Sequence, residues 1–161
     1  FQPLSDIQTR ILILGSLPGV ASLEAAQYYA HPRNDFWRLV GSVVDQDLAS
    51  LEYEARLAAL TGSGIGLWDV VASARRQGSL DADIRDIEQA DLNGLIARLP
   101  DLKAIAFNGQ TAARIGHRQL TDFTGRVITL PSSSPAHTRP FTEKRRQWLE
   151  LRHFLDLKAG V

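Results

Sequence analysis

The sequence predicts an α/β fold built on an open, mostly parallel β-sheet. Four short apolar runs, bounded by turn residues, alternate with segments whose apolar side chains recur at helical spacing. Because the runs are apolar almost throughout, rather than at every second residue, we expect both faces of the sheet to be covered. The predicted strands are Ile11–Leu14, Ile65–Trp68, Ala104–Phe107 and Arg126–Leu130.

Three amphipathic helices are predicted between and after these strands. The first carries an apolar stripe at positions i, i+3, i+4, i+7 and i+8 within residues 36–44. The second carries a similar stripe within residues 92–99, and Pro100 ends it. The last helix is expected from about Thr142 to Lys158, with its large apolar side chains on one side.

Length, composition and charge exclude several classes of protein. The 161 residues predict a single domain over residues 1–161. The absence of cysteine excludes disulfides, a thiolate nucleophile and cysteine-bound metal clusters. The four histidines lack metal-ligand spacing, so no metal site is expected. A formal net charge of zero argues against a protein that coats nucleic acid non-specifically, although it permits a local basic face.

The apolar runs are also too short for a membrane protein. None reaches the ~20 residues that a membrane-spanning helix needs. The N-terminus shows no signal-peptide pattern. A cytoplasmic or nucleoid-associated protein is therefore expected.

In parallel α/β sheets, ligands bind beyond the carboxyl ends of the strands. The first strand is followed by Gly15–Gly19, a Gly-Ser-Leu-Pro-Gly turn that allows the backbone to approach a ligand closely and to point N–H groups at it. An ordinary strand-to-helix turn explains this pentapeptide equally well. The turn lacks the Gly-Lys-Ser/Thr ending of a phosphate-binding loop, so nucleoside triphosphate binding is not expected.

A second segment, residues 27–37, concentrates aromatic and polar side chains before the first predicted helix. Aromatic faces beside hydrogen-bonding groups suit a flat heterocycle, held by stacking and by contacts to its edge. Core packing explains Phe36 well, and Asn34 or Asp35 could instead cap the helix. The side chains that these structural roles do not explain are Tyr28, Tyr29, His31 and Arg33.

A third segment, residues 131–140, is a Ser/Pro-rich loop after the last predicted strand. Small hydroxyls and tight turns allow such a loop to enter a DNA groove and to hydrogen-bond phosphates, although a plain connector would have the same composition. The following Glu143–Arg146 places cations beside the loop, but a charge run of this kind is often only a solvated face.

Taken in order, four motifs resemble the uracil-DNA glycosylase superfamily. Within it the chain looks most similar to the hypoxanthine-DNA glycosylase branch, with the mismatch-specific uracil-DNA glycosylases as relatives. The resemblance extends over residues 10 to 150. It rests on Gly15–Gly19, His31–Trp37, Leu67–Val70 and Leu130–Pro135.

This resemblance implies a three-layer α/β/α fold with a four-stranded parallel sheet. It also implies a monofunctional glycosylase that flips a deaminated base out of DNA and hydrolyses its N-glycosidic bond, without metal or cofactor, in base excision repair. Tyr29 matches the aromatic residue that stacks on the flipped base, and Asn34 matches the asparagine to which the hypoxanthine branch assigns catalysis. Asp69 falls where many relatives have a base-reading asparagine, although it could also merely cap a following helix.

Two departures from the family pattern affect the expected substrate. Most relatives carry Asp or Asn at the position of Leu17, where it orients the attacking water. Many also carry His or Asn at the position of Ser132, where it stabilises the leaving base. Leucine cannot orient water, so hypoxanthine excision that relies on Asn34 is favoured over robust uracil excision.

The resulting hypothesis assigns a role to each group of site residues. Asn34 orients the water, the backbone N–H groups of Gly15–Gly19 stabilise the leaving base, and Asp69 accepts the N–H at N1 of hypoxanthine or N3 of uracil. The residues assigned to catalysis are Asn34 and Ser16. The residues assigned to base binding are Gly15, Leu17, Pro18, Tyr29, Phe36 and Asp69. The residues assigned to DNA binding are Ser132, Ser133, Ser134, Pro135, Ala136, His137 and Arg139.

The expected partner is duplex DNA with a deaminated or mispaired base, bound by a monomer. Two alternatives stay open at this point. One is a module of the same fold that binds damaged or single-stranded DNA without cutting it, which Leu17 and Ser132 would favour. The other is an unrelated α/β enzyme that acts on free nucleosides or small phosphates, which would show no salt-dependent affinity for DNA.

Overall fold

The computed structural model describes residues 1–75 and 85–155. Its main sheet contains β1 (Ile11–Gly15), β2 (Ile65–Asp69), β5 (Ala104–Asn108) and β6 (Arg126–Leu130). The strand order is β2-β1-β5-β6, and every neighbouring pair is parallel. A separate antiparallel pair consists of β3 (Val71–Arg75) and β4 (Arg85–Gln89).

All four predicted strands are confirmed, and three of them extend one residue further than predicted. The additional residues are Gly15 in β1, Asp69 in β2 and Asn108 in β5. Since parallel strands end at the same edge of a sheet, these three residues lie close together, and Gly15 is the register partner of Asp69. The carboxyl edge of the sheet therefore carries a polar cluster.

Helices cover both faces of the sheet, as predicted. They are α1 (Val20–Ala25), α2 (Phe36–Val44), α3 (Tyr53–Gly62), α4 (Leu92–Ile96), α5 (Gln110–His117) and α6 (Phe141–Trp148). Short 3-10 helices occupy Leu48–Ser50 and Leu149–Phe154. Within the described residues, no helix is long and apolar enough to cross a membrane.

The central strand β1 divides the hydrophobic core into two parts. Ile11 and Ile13 point to one face, where they join the cluster of α2 and α6 that includes Trp148. Leu12 and Leu14 point to the other face, where they join the cluster of α4 and α5. Burying each of these side chains fully contributes ~1.5–3 kcal/mol to stability, so the sheet gives the site a rigid base.

The helix over residues 36–44 is confirmed, whereas the other two predicted helices differ in their second halves. The α-helical part of α4 ends at Ile96, and tighter turns lead to Leu99 because the residue before Pro100 disfavours the helical conformation. The C-terminal helix changes to 3-10 geometry at Leu149, which aligns Trp148 and Leu151, both fully buried, on one face. Its predicted end at Lys158 lies outside the described residues.

The sequence interpretation missed α1, α3, α5 and the β3–β4 pair. In α3 the reason is physical, since Leu60 is its one buried residue and the alanines on the other faces of the helix obscure the short stripe of Tyr53, Leu57 and Leu60. The β3 strand begins at Val71, two residues after Asp69, so the expectation that Asp69 could cap a following helix is wrong.

Candidate functional site

A cavity of about 850 Å³ lies at the carboxyl edge of the sheet. The turn after β1, the segment before α2, the end of β2 and the loop after β6 all contribute to its wall. With the exception of Phe36, every residue that the sequence assigns to the site lines it. These residues are Gly15, Ser16, Leu17, Pro18, Tyr29, Asn34, Asp69, Ser132, Ser133, Ser134, Pro135, Ala136, His137 and Arg139.

Gly15 allows two functional groups to approach the backbone. A Cβ atom at this position would lie 2.7 Å from Oδ1 of Asp69 and 3.0 Å from Oη of Tyr29. Both distances are too short for ordinary contact, so no larger residue fits without displacing one of the two groups. The glycine is needed here for space.

Asp69 presents a carboxylate at the cavity although its side chain is largely buried, with 7% exposure. Burial raises the pKa of Tyr29 well above its ordinary value, and the nearby Asp69 charge raises it further. The pKa of Tyr28 is also raised, first by burial and then by the nearby Asp69 charge. Both phenols therefore stay neutral at physiological pH, and the negative charge in this part of the cavity is that of Asp69.

The ring of Tyr29 is held on two sides. Its Oη accepts a hydrogen bond from Nδ2 of Asn108 at 3.3 Å, and the ring of Phe36 packs against it edge-to-face with centroids 3.9 Å apart. The backbone of Tyr29 has φ of +55°, a conformation that is uncommon for a residue with a Cβ and that indicates strong local constraint. The arrangement offers a pre-positioned aromatic surface.

Phe36 does not line the cavity, so the prediction that its side chain contacts the base directly is wrong. Its side chain is fully buried and stacks on Trp37 with centroids 5.0 Å apart. Its ring also lies against Trp148 of α6. Phe36 supports Tyr29 from the core side.

Asn34 is fixed at the start of α2. Its Oδ1 accepts the N–H of Phe36 at 2.9 Å, and its own N–H donates to the carbonyl of His31 at 3.0 Å. The alternative capping role is therefore partly correct for Asn34, whereas the side chain of Asp35 makes no capping bond. Asn34 lines the cavity, and an amide oxygen has two lone pairs, so Oδ1 can accept one further hydrogen bond.

Asn108 is a site residue that sequence reasoning missed. It is largely buried, and its Nδ2 donates to Oγ of Ser133 at 2.9 Å as well as to Tyr29. Its Oδ1 accepts the N–H of Ser133 at 2.9 Å. The sequence signal is a polar residue at the end of a buried strand, but Asn108 precedes Gly109, and an Asn-Gly pair is equally typical of a turn.

The aromatic wall near the cavity mouth was also missed in part. Phe1 lines the cavity and packs edge-to-face on Tyr28, with ring centroids 5.0 Å apart. Trp68 fixes it from the other side, since its indole N–H donates to the carbonyl of Phe1 at 2.9 Å. No motif in the sequence indicated this contact, because it joins segments far apart in the chain.

The serine loop after β6 is stiffened by its own side chains. Oγ of Ser132 accepts the N–H of Ser134 at 3.1 Å, and Oγ of Ser134 accepts the N–H of Ala136 at 3.2 Å. Ser133 is only 1% exposed and is bound by Asn108, so direct DNA contact by its side chain, as the sequence suggested, is wrong. Pro135 and Ala136 are exposed at the tip of the loop.

The cationic side chains near the serine loop make different contacts. Arg139 lines the cavity, and it is the sole Lys or Arg of the described residues to do so. Lys144 is buried and contacts Asp35, whereas Nε of Arg145 donates to Oγ of Ser42. Partial burial lowers the pKa of His137, and the nearby charges of Lys144 and Arg139 lower it further, so this imidazole is neutral at pH 7.

The described residues contain no cluster of three or more His, Asp or Glu side chains that could hold a metal ion. The cavity is lined by one carboxylate, one guanidinium, two imidazoles, and several amides, phenols and hydroxyls, together with backbone groups. These groups suit the binding of a neutral, flat, polar molecule and the orientation of water around it.

Comparison with known proteins gives the same picture. The sequence model of the Uracil DNA glycosylase superfamily matches residues 2–158. A protein of Methanosarcina barkeri named hypoxanthine DNA glycosylase is 42% identical over 151 residues, which cover 93% of this chain and 94% of that protein. A protein of the same name from Methanosarcina acetivorans is 41% identical over 148 residues, with coverage of 92% and 93%.

A solved structure is similar over the same length. It is a solution NMR structure from Methanosarcina acetivorans, provisionally named a uracil DNA glycosylase. It is 41% identical in sequence, covers 96% of each chain and superposes with a TM-score of 0.86.

Proposed function

Because the chain belongs to the uracil DNA glycosylase superfamily, we propose that it is a DNA glycosylase that removes a deaminated base, hypoxanthine above all. The observation that carries this choice is the carboxylate of Asp69, which lies at the cavity beside Tyr29. The names of the two Methanosarcina relatives support the same substrate. The DNA would be a duplex with a deaminated or mispaired base, bound by a monomer.

Base recognition uses one face and one edge of the flipped nucleotide. The ring of Tyr29 stacks on the base, and the Asp69 carboxylate accepts the N–H at N1 of hypoxanthine. Uracil presents an equivalent N–H at N3. Adenine presents an acceptor at N1, which the carboxylate repels, so the normal base is rejected.

The chemical step is hydrolysis of the bond between C1′ of deoxyribose and the base. The electron pair of that bond leaves with the base, while the oxygen of one water bonds to C1′ and its proton is released to the departing base or to solvent. The remaining acceptor position of Asn34 Oδ1 orients this water. Since a neutral amide is a very weak base, the transition state must be strongly dissociative.

The departing base carries negative charge as the bond breaks. The Gly15–Gly19 turn lines the cavity. In this proposal its backbone N–H groups donate to the carbonyl oxygen of the base, and each donor lowers the activation free energy by roughly 3 kcal/mol. Ser16 belongs to the same turn. The serine loop and Arg139 hold the DNA backbone and occupy the space that the flipped nucleotide leaves.

The test is a base-release panel on duplexes that contain hypoxanthine, uracil, xanthine or an alkylated base. We expect hypoxanthine to be released fastest, and Asn34→Ala to lower its single-turnover release by orders of magnitude with an unchanged fold. Near wild-type release by Asn34→Ala would remove Asn34 from the mechanism. Release of none of these bases would disprove the proposal.

A second candidate function is binding of damaged DNA without excision. Leu17 favours it, because this residue lines the cavity with an apolar side chain that also packs on the core cluster of α4 and α5. The same panel separates the two, since a binding module retains salt-dependent affinity for hypoxanthine duplexes but releases no base.

A further inference from the structure

Lys144 is a buried cation that the proposed chemistry does not use. It lies in α6, and its side chain is only 1% exposed. An ammonium group withdrawn from water needs close polar partners. Nζ of Lys144 has two, since it lies 3.3 Å from Oδ2 of Asp35 and 3.3 Å from the carbonyl oxygen of Ser134.

These partners belong to the two segments on which the proposed function depends. Asp35 follows Asn34 directly, and Ser134 lies in the serine loop. A second link joins the same segments, because the N–H of Asp35 donates to the carbonyl of Ser133 at 2.9 Å. Lys144 thus completes a bridge between the start of α2 and the loop after β6.

The carboxylate of Asp35 is shared between two cations. Oδ2 contacts Lys144, and Oδ1 lies 3.4 Å from Nη1 of Arg38, whose side chain is 57% exposed. The exposed pair is screened by water and contributes little, whereas the contact with the buried Lys144 is screened much less. The placement of the Asp35 carboxylate therefore depends more on Lys144 than on Arg38.

We propose that Lys144 is a positioning residue that holds the water-orienting Asn34 and the DNA-contacting serine loop at a fixed separation. The inference rests on the proposed function of these two segments. Lys144 itself does not line the cavity, so it acts through Asp35 and Ser134. A displacement of about 1 Å at a reacting centre lowers rates by as much as 100-fold, which makes such a bridge consequential.

The test compares Lys144→Met with Arg145→Met. Methionine keeps the unbranched shape without the charge, and Arg145 is a neighbouring cation of α6 that bonds Ser42 away from the cavity. We expect Lys144→Met to lower single-turnover release of hypoxanthine roughly 30- to 100-fold, with a smaller change in the half-saturating enzyme concentration. Arg145→Met should stay within about three-fold of wild type, as expected for a surface position.

Two further variants separate positioning from a general loss of structure. Asp35→Asn keeps the shape of the side chain and weakens the same bridge, so it should lower release in the same direction if Lys144→Met does not fold. In an Asn34→Ala background, Lys144→Met should cause little additional loss in the chemical step, because the group that it positions is absent. Full additivity in that background would overturn the proposal.

Amide hydrogen exchange tests the bridge without measuring base release, so its result does not depend on the proposed function. Amide hydrogen exchange should accelerate in both residues 31–37 and residues 131–137 of Lys144→Met, and in neither segment of Arg145→Met. This pattern in a protein that releases no base would support the bridge and disprove the glycosylase proposal alone. Unchanged exchange together with wild-type release would disprove the role of Lys144.

Discussion

Asn108 and Ser133 are joined by two hydrogen bonds of 2.9 Å, one from Nδ2 of Asn108 to Oγ of Ser133 and one from the N–H of Ser133 to Oδ1 of Asn108. The same Nδ2 also donates to the phenol of Tyr29. One buried amide thus connects the serine loop with the aromatic surface of the cavity, so the two sides of the site are fixed relative to each other.

We expect Asn108→Ala to loosen both sides of the site. The substitution leaves the buried N–H and hydroxyl of Ser133 without partners, which costs ~1–3 kcal/mol of stability. Urea unfolding measures that loss, and hypoxanthine release should fall with it. Asn93→Ala also removes amide hydrogen bonds, to the carbonyl of Gln119 and the hydroxyl of Thr121, but these bonds are exposed, so water replaces them and the loss should be smaller than in Asn108→Ala. Equal stability of the two variants would contradict the role of Asn108.

Gly15→Ala tests the close approach at the end of β1. The new methyl group would meet Oδ1 of Asp69 at 2.7 Å, so the carboxylate or the phenol of Tyr29 must move. Such a shift should lower hypoxanthine release by roughly 10- to 100-fold. The matched control is Gly62→Ala at the end of α3, where a Cβ meets nothing within 4 Å and release should not change. Normal release by Gly15→Ala would show that the site tolerates the displacement.

Asp69→Asn tests how the base is chosen. A neutral amide can turn either its oxygen or its NH₂ group towards the base, so it no longer repels the acceptor at N1 of adenine. The ratio of hypoxanthine to adenine release, measured on matched duplexes, should fall by roughly 10- to 100-fold. Asp101→Asn replaces an exposed aspartate and serves as the control. If the ratio of hypoxanthine to adenine release does not change, a residue other than Asp69 discriminates between the bases.

Because burial raises the pKa of Tyr29, we expect the free energy of unfolding to decrease at alkaline pH. Its pKa is raised in the folded protein, mainly by burial and further by Asp69, whereas in the unfolded chain it ionises near the ordinary value of 10.0. The resulting stability is complete below pH 10 and is lost as the pH rises above it, because only the unfolded state then releases the proton. Urea midpoints between pH 8 and 11 should fall less steeply for Tyr29→Phe. If the urea midpoint of Tyr29→Phe falls with pH as steeply as that of wild type, the loss of stability comes from other groups, and Tyr28 is the first candidate.

The strands and the cavity wall could be predicted from the sequence because both depend on local patterns. Continuous apolar runs fixed β1, β2, β5 and β6, and the topology of a parallel sheet then placed Gly15 and Asp69 at one edge. Asn108 could not be assigned in this way. Its role depends on contacts with Tyr29 and Ser133, which are distant in the chain, and its neighbour Gly109 made it resemble a turn residue.

Lys144 and Phe36 show the complementary error, in which a residue is judged by its neighbours in sequence. Lys144 stands in the run Glu143–Arg146, which is typical of a solvated face, yet the loop after β6 and Asp35 enclose it. Phe36 lies between motif residues, but its position at the start of α2 points it into the core. The burial of Lys144 is decided by tertiary packing, which sequence spacing does not specify, whereas the apolar stripe of residues 36–44 already indicates core packing for Phe36.

Leu17→Asn tests whether the apolar residue at the turn after β1 limits the range of substrates. The resemblance to the superfamily implies that most of its members carry Asp or Asn at this position to orient water, whereas here Leu17 lines the cavity within the turn. The new amide would give the site a second water-orienting group, so uracil release should rise relative to hypoxanthine release. The loss of apolar contacts to the core cluster of α4 and α5 should cost ~1–2 kcal/mol of stability, which urea unfolding would detect. Leu23→Asn in α1 is the control, because Leu23 is 56% exposed and makes no part of the cavity wall. If uracil release by Leu17→Asn stays at the wild-type level while the protein folds, water is oriented by Asn34 alone and the identity of residue 17 does not determine the substrate.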